Sequence, residues 1–355
     1  MNEAIVQGPV LLFWLSHNLG GQAVNQQNAN PEHRKEQTGV ETPKYLWWNG
    51  ERRAWDECTV HVSEIAWSTV GAVFEGIRGY WNADQGELYV FRLEEHIDRL
   101  LRSQKLVRLP INYDKPTLIA AIIDLLAANE VRNDAYIFPL AYASESRETR
   151  RSSHGGPAFD SDLYITTRKM PSHLGSGMTM SARVSSWRRI SEDVMPPRAK
   201  NISNYRNGQL ARMESAADGY DTAILLNRNG NVSEAPGACI MFVRDGVLIT
   251  PDLTSGILES ITRDAILQIA RDLGIPVEER VVDRTELYLA DEVFLCGTAA
   301  EISPITSIDH YTIGDGAIGP ITKQLDTLYE NILRGRESNY AAWRTPVWSR
   351  VAVGA

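Results

Sequence analysis

Cysteine is scarce: 355 residues hold three, Cys58, Cys239 and Cys296, far apart and without C-x-x-C spacing. An odd, dispersed set gives neither a disulfide framework nor a zinc ribbon, and it suits a reducing, cytoplasmic compartment. The seven histidines include no H-x-x-x-H pair, so no metal site is expected, and His61 and His96 read as structural residues. The apolar run near the start, PVLLFWL at 9–15, is far shorter than the ~20 residues that span a bilayer and lacks a preceding basic region. Neither a membrane anchor nor a secretory signal is therefore expected. An excess of positive charge is also missing: 36 basic and 45 acidic residues give −9, which favours solubility and disfavours nucleic acid or anionic membrane as partners. Repeats of solenoid period are absent.

What is present is ordinary globular composition, 43% apolar and 23% charged, in a chain longer than one hydrophobic core usually serves. The expected organisation is α/β (α+β) in two domains. Residues 1–44 form an N-terminal extension, poorly ordered or lying on a partner, and a small α/β domain covers 45–170. The turn-rich stretch PSHLGSG at 171–177 links it to a larger domain over 178–345, and 346–355 is a tail. YLWWNGERRAW predicts a hairpin about Asn49 and Gly50, because that dipeptide tolerates positive φ. RLEEHIDRLLRSQKL and KPTLIAAIIDLLAANE read as helices, AYIFPLAYA and DLYITTRKM as strands, with a polar loop at 144–160 between them. Beyond residue 178 the pattern gives a strand at MTMSARVSSW, a helix at NGQLARMESAADG and hairpin turns at Asn229-Gly230 and Asp245-Gly246. A helix SITRDAILQIARDLGI opens at Ser260 or Thr262 and closes at Gly274. A last helix starts at Pro320.

The chemistry concentrates around PPRAKNISNY, residues 196–205. A lysine on a solvated face needs no explanation, but one partly withdrawn from water can serve as a neutral amine nucleophile, which makes Lys200 a candidate. The turn before the helix at 263–273, the small-residue turn GTAAE and Arg78 could together hold a phosphate through amides, hydroxyls and a guanidinium. Taken singly, each has an ordinary structural explanation, and Glu234 in NVSE would be a solvated turn residue.

Taken together, FEGIRGY, AKNISNY, GNVSEAPG, ITRDAI, LYLADEVFLCGTAAEISPI and GPIT stand in the order and spacing of branched-chain aminotransferases, which the chain resembles from about Tyr45 to Gly335. These are pyridoxal-phosphate enzymes of fold type IV, or class IV aminotransferases. The resemblance implies two α/β domains with pyridoxal 5′-phosphate at their interface, in a homodimer. It implies that Lys200 condenses with the cofactor aldehyde, Glu234 pairs with the pyridine nitrogen, Tyr205 contacts the ring hydroxyl and Leu258 packs on the ring. Arg78, Ile261, Thr262 and Thr298 would hold the phosphate. Phe74, Thr69, Tyr136, Phe138, Ala299 and Ala300 would line the substrate pocket, with an amino donor and a keto acid as small-molecule partners.

The substrate half departs from the family. Ser68, Thr69 and Val70 stand where a His-Tyr-Gly sequence is usual, and YIFP replaces YIRP, so Phe138 takes an arginine's place. Glu259-Ser260 replaces a glycine before ITR. Altered carboxylate recognition follows, with Arg147, Arg150 or Arg151 of the polar loop as candidate replacements and the amides of Ala299 and Ala300 still available. The expected function is amino-group transfer between an amino acid or amine and a keto acid. An (R)-selective amine or D-amino-acid transaminase, a lyase resembling aminodeoxychorismate lyase, and a catalytically silent ligand-binding protein are the alternatives.

Overall fold

The computed structural model describes residues 42–62, 65–144 and 160–350. The extension up to residue 41 and Arg147, Arg150 and Arg151 lie outside the described residues. Pro43–Ala355 is one compact unit, and it contains two eight-stranded sheets.

The first sheet is antiparallel throughout. Strands β1 (Tyr45–Trp48) and β2 (Glu51–Ala54) form the expected hairpin, with Asn49 at φ 49° and Gly50 at φ 95°. A one-turn helix α1 (Ile65–Ser68) precedes β3 (Val73–Phe74), β4 (Ile77–Asn82) and β5 (Glu87–Phe91). Helices α2 (Leu93–Leu106) and α3 (Lys115–Ala128) follow, then β6 (Ala135–Ser144) and β7 (Asp160–Lys169). Along β6 buried and half-buried residues alternate strictly from Ala135 to Leu140. Period two therefore sends Ala135, Ile137 and Ala141 into the core with α2 and α3, and turns Tyr136 and Phe138 to the other face.

The second sheet is mixed. Strand β8 (Met180–Arg188) leads to helix α4 (Ile202–Ala217), then β9 (Thr222–Leu226), β10 (Cys239–Arg244) and β11 (Val247–Pro251). Helix α5 (Ile261–Asp272), β12 (Val277–Arg280), β13 (Glu292–Gly297), β14 (Glu301–Ile308), β15 (Tyr311–Thr312) and helix α6 (Pro320–Leu333) complete it. The apolar stripes of α5 and α6 cover one face, where Ile266, Ile269, Leu325 and Ile332 meet Met241, Phe294 and Ile302.

Two features differ from the sequence reading. Helix α4 begins at Ile202 rather than near residue 207, because the Asn201 side chain caps it by accepting the Ser203 N–H. A last strand, β16 (Arg344–Pro346), spans the expected boundary at 345 and pairs with β5, so the chain returns to the first sheet.

Candidate active site

Lys200 lies at the seam between the sheets, immediately before α4. Its carbonyl accepts the Phe74 N–H (3.0 Å), its own N–H donates to Ser103 Oγ (3.1 Å), and the next N–H but one, of Ile202, reaches Ala72 O (2.8 Å). Buried Asn204 donates to Pro196 O and Ala199 O, both at 3.1 Å, and so fastens the loop preceding the lysine. The backbone is thus fixed on both sides while the side chain, half-buried, stays free to act. Lys200 Nζ donates to Tyr205 Oη at 2.5 Å and lies 4.7 Å from the Phe74 ring centre. Tyr205 is positioned by the first turn of α4.

Glu234 is almost fully buried, and both its oxygens are engaged: Oε1 pairs with Arg189 Nη2 at 2.7 Å and Oε2 accepts the Leu258 N–H at 3.0 Å. A carboxyl held at one oxygen by a guanidinium and at the other by an amide is fixed in orientation. Leu258 carries this amide at the entry to α5, where Ser260 caps the helix by accepting the Arg263 N–H. The first N–H groups of α5, those of Ile261 and Thr262, have no partner within the helix, and the helix dipole adds positive character there.

Arg78, from β4, is 1% exposed, which removes the surface ion-pair explanation. Its Nη2 donates to Met170 O (2.9 Å) and pairs with Glu301 (3.3 Å), yet Nε and Nη1 are buried without a partner. A buried guanidinium with two unspent nitrogens is costly unless a ligand takes them, and a phosphate offers the matching acceptors. Thr298, Ala299 and Ala300 form the turn between β13 and β14, directly before Glu301.

The expected pocket residues divide. Phe74, Phe138 and Tyr136 form a continuous aromatic wall: Phe74 is 4.9 Å from Tyr205 and 5.3 Å from Phe138, and Phe138 is 6.4 Å from Tyr136. Tyr164 extends it from β7, 6.3 Å from Phe138. Gly76 permits this, because a Cβ there would collide with the Tyr136 hydroxyl. Thr69 does not join: it is exposed, and its hydroxyl donates to Ile65 O.

Sequence reading missed the groups that support these residues. Behind the lysine, fully buried Glu75 receives two bonds from Arg99, at 2.7 and 2.8 Å, and contacts His96 Nδ1 at 2.8 Å. Burial alone would raise this carboxyl, but the charge and hydrogen bonds of Arg99, helped by His96, bring it down to about 2. Arg99 also donates to Glu259 O at 2.8 Å, which joins α2 to the entry of α5. Neither Arg189 nor Arg99 has a local signature, since each partner lies tens of residues away. Gly76, in the two-residue link between β3 and β4, was a usable sign of close approach.

Residues 72–308 match the model of the amino-transferase class IV family. A probable branched-chain-amino-acid aminotransferase from Aquifex aeolicus is 41% identical over 280 residues, covering 79% of this chain and 89% of that protein. The Escherichia coli K12 branched-chain-amino-acid aminotransferase is 38% identical over 302 residues, 84% and 96% of the two chains. The crystal structure of the Thermobaculum terrenum branched-chain amino acid aminotransferase in its PLP form superposes with a TM-score of 0.83 at 52% identity, covering 86% of this chain and 99% of that one. The branched-chain aminotransferase of the thermophilic archaeon Thermoproteus uzoniensis, solved with norvaline, gives 0.79 at 41% identity, with 86% and 99% covered. The chain belongs to the class IV aminotransferases of fold type IV and is a pyridoxal-phosphate-dependent transaminase acting on amino and keto acids.

Proposed function

We propose that this transaminase takes its amino group from a donor with a bulky apolar or aromatic side chain and returns it to a keto acid, with Lys200 as the catalytic residue. The observation that carries the reading is the aromatic wall, which runs from Lys200 through Phe74 and Phe138 to Tyr164 and has an uncharged ring at position 138. Such a surface gains by covering apolar area and offers a side-chain carboxylate no cation at that point.

When bound, pyridoxal 5′-phosphate supplies an aldehyde that takes up the amino group and a ring that delocalises the electrons released at the substrate Cα. The residues present fit it. The unspent nitrogens of Arg78, the N–H groups of Ile261 and Thr262 and the Thr298 hydroxyl suit the phosphate, while Glu234 suits a protonated ring nitrogen and Leu258 the ring face. Tyr205 would meet the ring hydroxyl. Lys200, tethered between two fixed backbone bonds, is placed to carry a proton to and from the substrate Cα as base and then acid. Among the described residues, Tyr136 and the amides of Ala299 and Ala300 are candidates for the α-carboxylate. Burial pushes the Tyr136 phenol well above its ordinary range, so it stays a neutral donor.

The same reading includes a cytoplasmic homodimer. Cys239 and Cys296 face each other in register on β10 and β13 as free thiols, in keeping with a reducing compartment. Exposed Val60, Val62, Ile65 and Val70 are apolar side chains that a second copy could cover. No helix among the described residues is long and apolar enough to cross a membrane.

A spectrophotometric screen of the cofactor-loaded enzyme tests the function. L-leucine, L-phenylalanine, L-glutamate, D-amino acids and both enantiomers of 1-phenylethylamine are each mixed with the enzyme. Bulky apolar donors should convert the cofactor to its aminated form, and glutamate should be poorer by roughly tenfold to a hundredfold, the scale of a lost charge-assisted contact. Preference for glutamate, or no conversion of the cofactor by any of these donors, would refute the reading.

A further inference from the structure

His173 sits in the segment that links the two sheets, and its contacts converge on the buried partner of Arg78. Glu301 follows the turn 298–300 with a left-handed φ of 47°, unusual for a residue with a Cβ, and is completely buried. Its Oε2 accepts the His173 backbone N–H at 2.8 Å and lies 2.9 Å from His173 Nδ1. Burial would raise this carboxyl, yet the His173 hydrogen bonds and the Arg78 charge bring it down to about 2. An ionised carboxylate has no hydrogen to give, so Nδ1 is the donor. The other ring nitrogen lies 3.2 Å from Ser303 Oγ, whose own hydroxyl donates to Ala300 O at 2.7 Å. The imidazole thus grips β14 at two points, both next to the phosphate turn.

This grip has a consequence for Arg78. With Oε2 occupied by His173, Oε1 faces Arg78 Nη2, the same nitrogen that donates to Met170 O. Met170 and His173 belong to one stretch of chain, which therefore engages the arginine directly and through Glu301. The result is selective: Nη2 is spent on protein, while Nε and Nη1 stay free and buried. A freely turning Glu301 could claim those nitrogens itself and would set a second anion against the phosphate.

We propose that His173 is a positioning residue for the cofactor phosphate: through Nδ1 it fixes Glu301 so that Arg78 keeps two nitrogens available for that anion. This rests on the reading that Arg78 takes the phosphate. It adds a selectivity for the phosphorylated cofactor that depends on a residue outside the expected ligand set.

The test is titration of cofactor-free protein with pyridoxal 5′-phosphate and, separately, pyridoxal, followed by absorbance. His173→Phe should weaken the phosphorylated ligand about tenfold, the scale of one charge-assisted hydrogen bond, and leave pyridoxal within about twofold. His173→Asn, whose amide nitrogen can replace Nδ1, should recover most of the loss. Should His173→Phe fail to fold, His173→Ala, which also removes Nδ1, must show the same selective loss. Equal weakening of both ligands, or of neither, overturns the proposal. Arg78→Gln separates the two levels. No loss of phosphate selectivity there overturns the Arg78 assignment and this proposal with it, whereas loss there with none in His173→Phe overturns the His173 link alone.

Discussion

Glu75 shows how much of the site depends on groups that never meet a substrate. It is fully buried beneath Lys200 and keeps its charge only because Arg99 and His96 surround it. Removing one partner of such a pair strands the other, so Glu75→Gln should cost roughly 3–5 kcal/mol at neutral pH. The sign of the pH dependence follows from its depressed pKa. Stability from Glu75 is complete above the ordinary value of 4.5 and drains away as pH falls towards the folded value of about 2. The gap between wild type and Glu75→Gln in urea unfolding should therefore be constant from pH 7 to 5.5 and narrow steadily below 4.5. A constant gap down to pH 3.5 would show that Glu75 does not carry this charge. At this scale Lys200, Glu234 and Arg78 were legible only through the family resemblance, since each taken singly had an ordinary structural explanation. Glu75, Arg189 and His173 were not, because an ion pair between elements leaves no local trace in either partner.

Among the elements, helix α4 couples stability to Lys200 most directly. Asn201 joins Lys200 to the helix, and its Oδ1 accepts the Ser203 N–H at 2.8 Å, so the cap sits one residue from Lys200 and four from Tyr205. Without the cap the first turn frays and the 2.5 Å contact between Lys200 and Tyr205 loosens. Asn201→Ala should lose about 1 kcal/mol in urea unfolding and show a lower kcat, while Asn201→Ser, which keeps an acceptor, should retain both. If the serine variant behaves like the alanine variant, capping is not the cause. The sequence places the helix start too late because ISNY has no apolar periodicity, and the periodic stretch begins only at the next turn. Strand β6 was legible as a strand from its apolar run AYIFPLAYA, but its facing was not, because Tyr136 and Phe138 are as apolar in pattern as Ile137; the observed alternation puts those two on the site face.

At the scale of the whole molecule, the site lies between two sheets whose relative position depends on the end of the chain. Helix α6 packs on the second sheet with α5, and Arg334, just past its end, donates to Trp81 O at 2.8 Å and pairs with Asp134. Asn82 answers by donating to Arg334 O. The chain then adds β16 to β5, and Glu87 gathers the N–H groups of Val347, Trp348 and Ser349 at 2.8–2.9 Å. By sequence the chain reads as a tail from residue 346, because a three-residue strand has no pattern of its own and gains its bonds only from β5 and Glu87. Those bonds close the edge of the sheet that carries Arg78 on β4. Deleting residues 344–355 exposes that edge and leaves a buried Glu87 without its amide partners, so melting should fall by more than about 5 °C, the shift expected for a loss of a few kcal/mol in a chain of this size. Glu87→Gln keeps the strand but weakens its anchoring, and its melting point should fall between the other two. A truncated protein that melts within about 2 °C of the full chain would mean that α6 and Arg334 alone hold the sheets together.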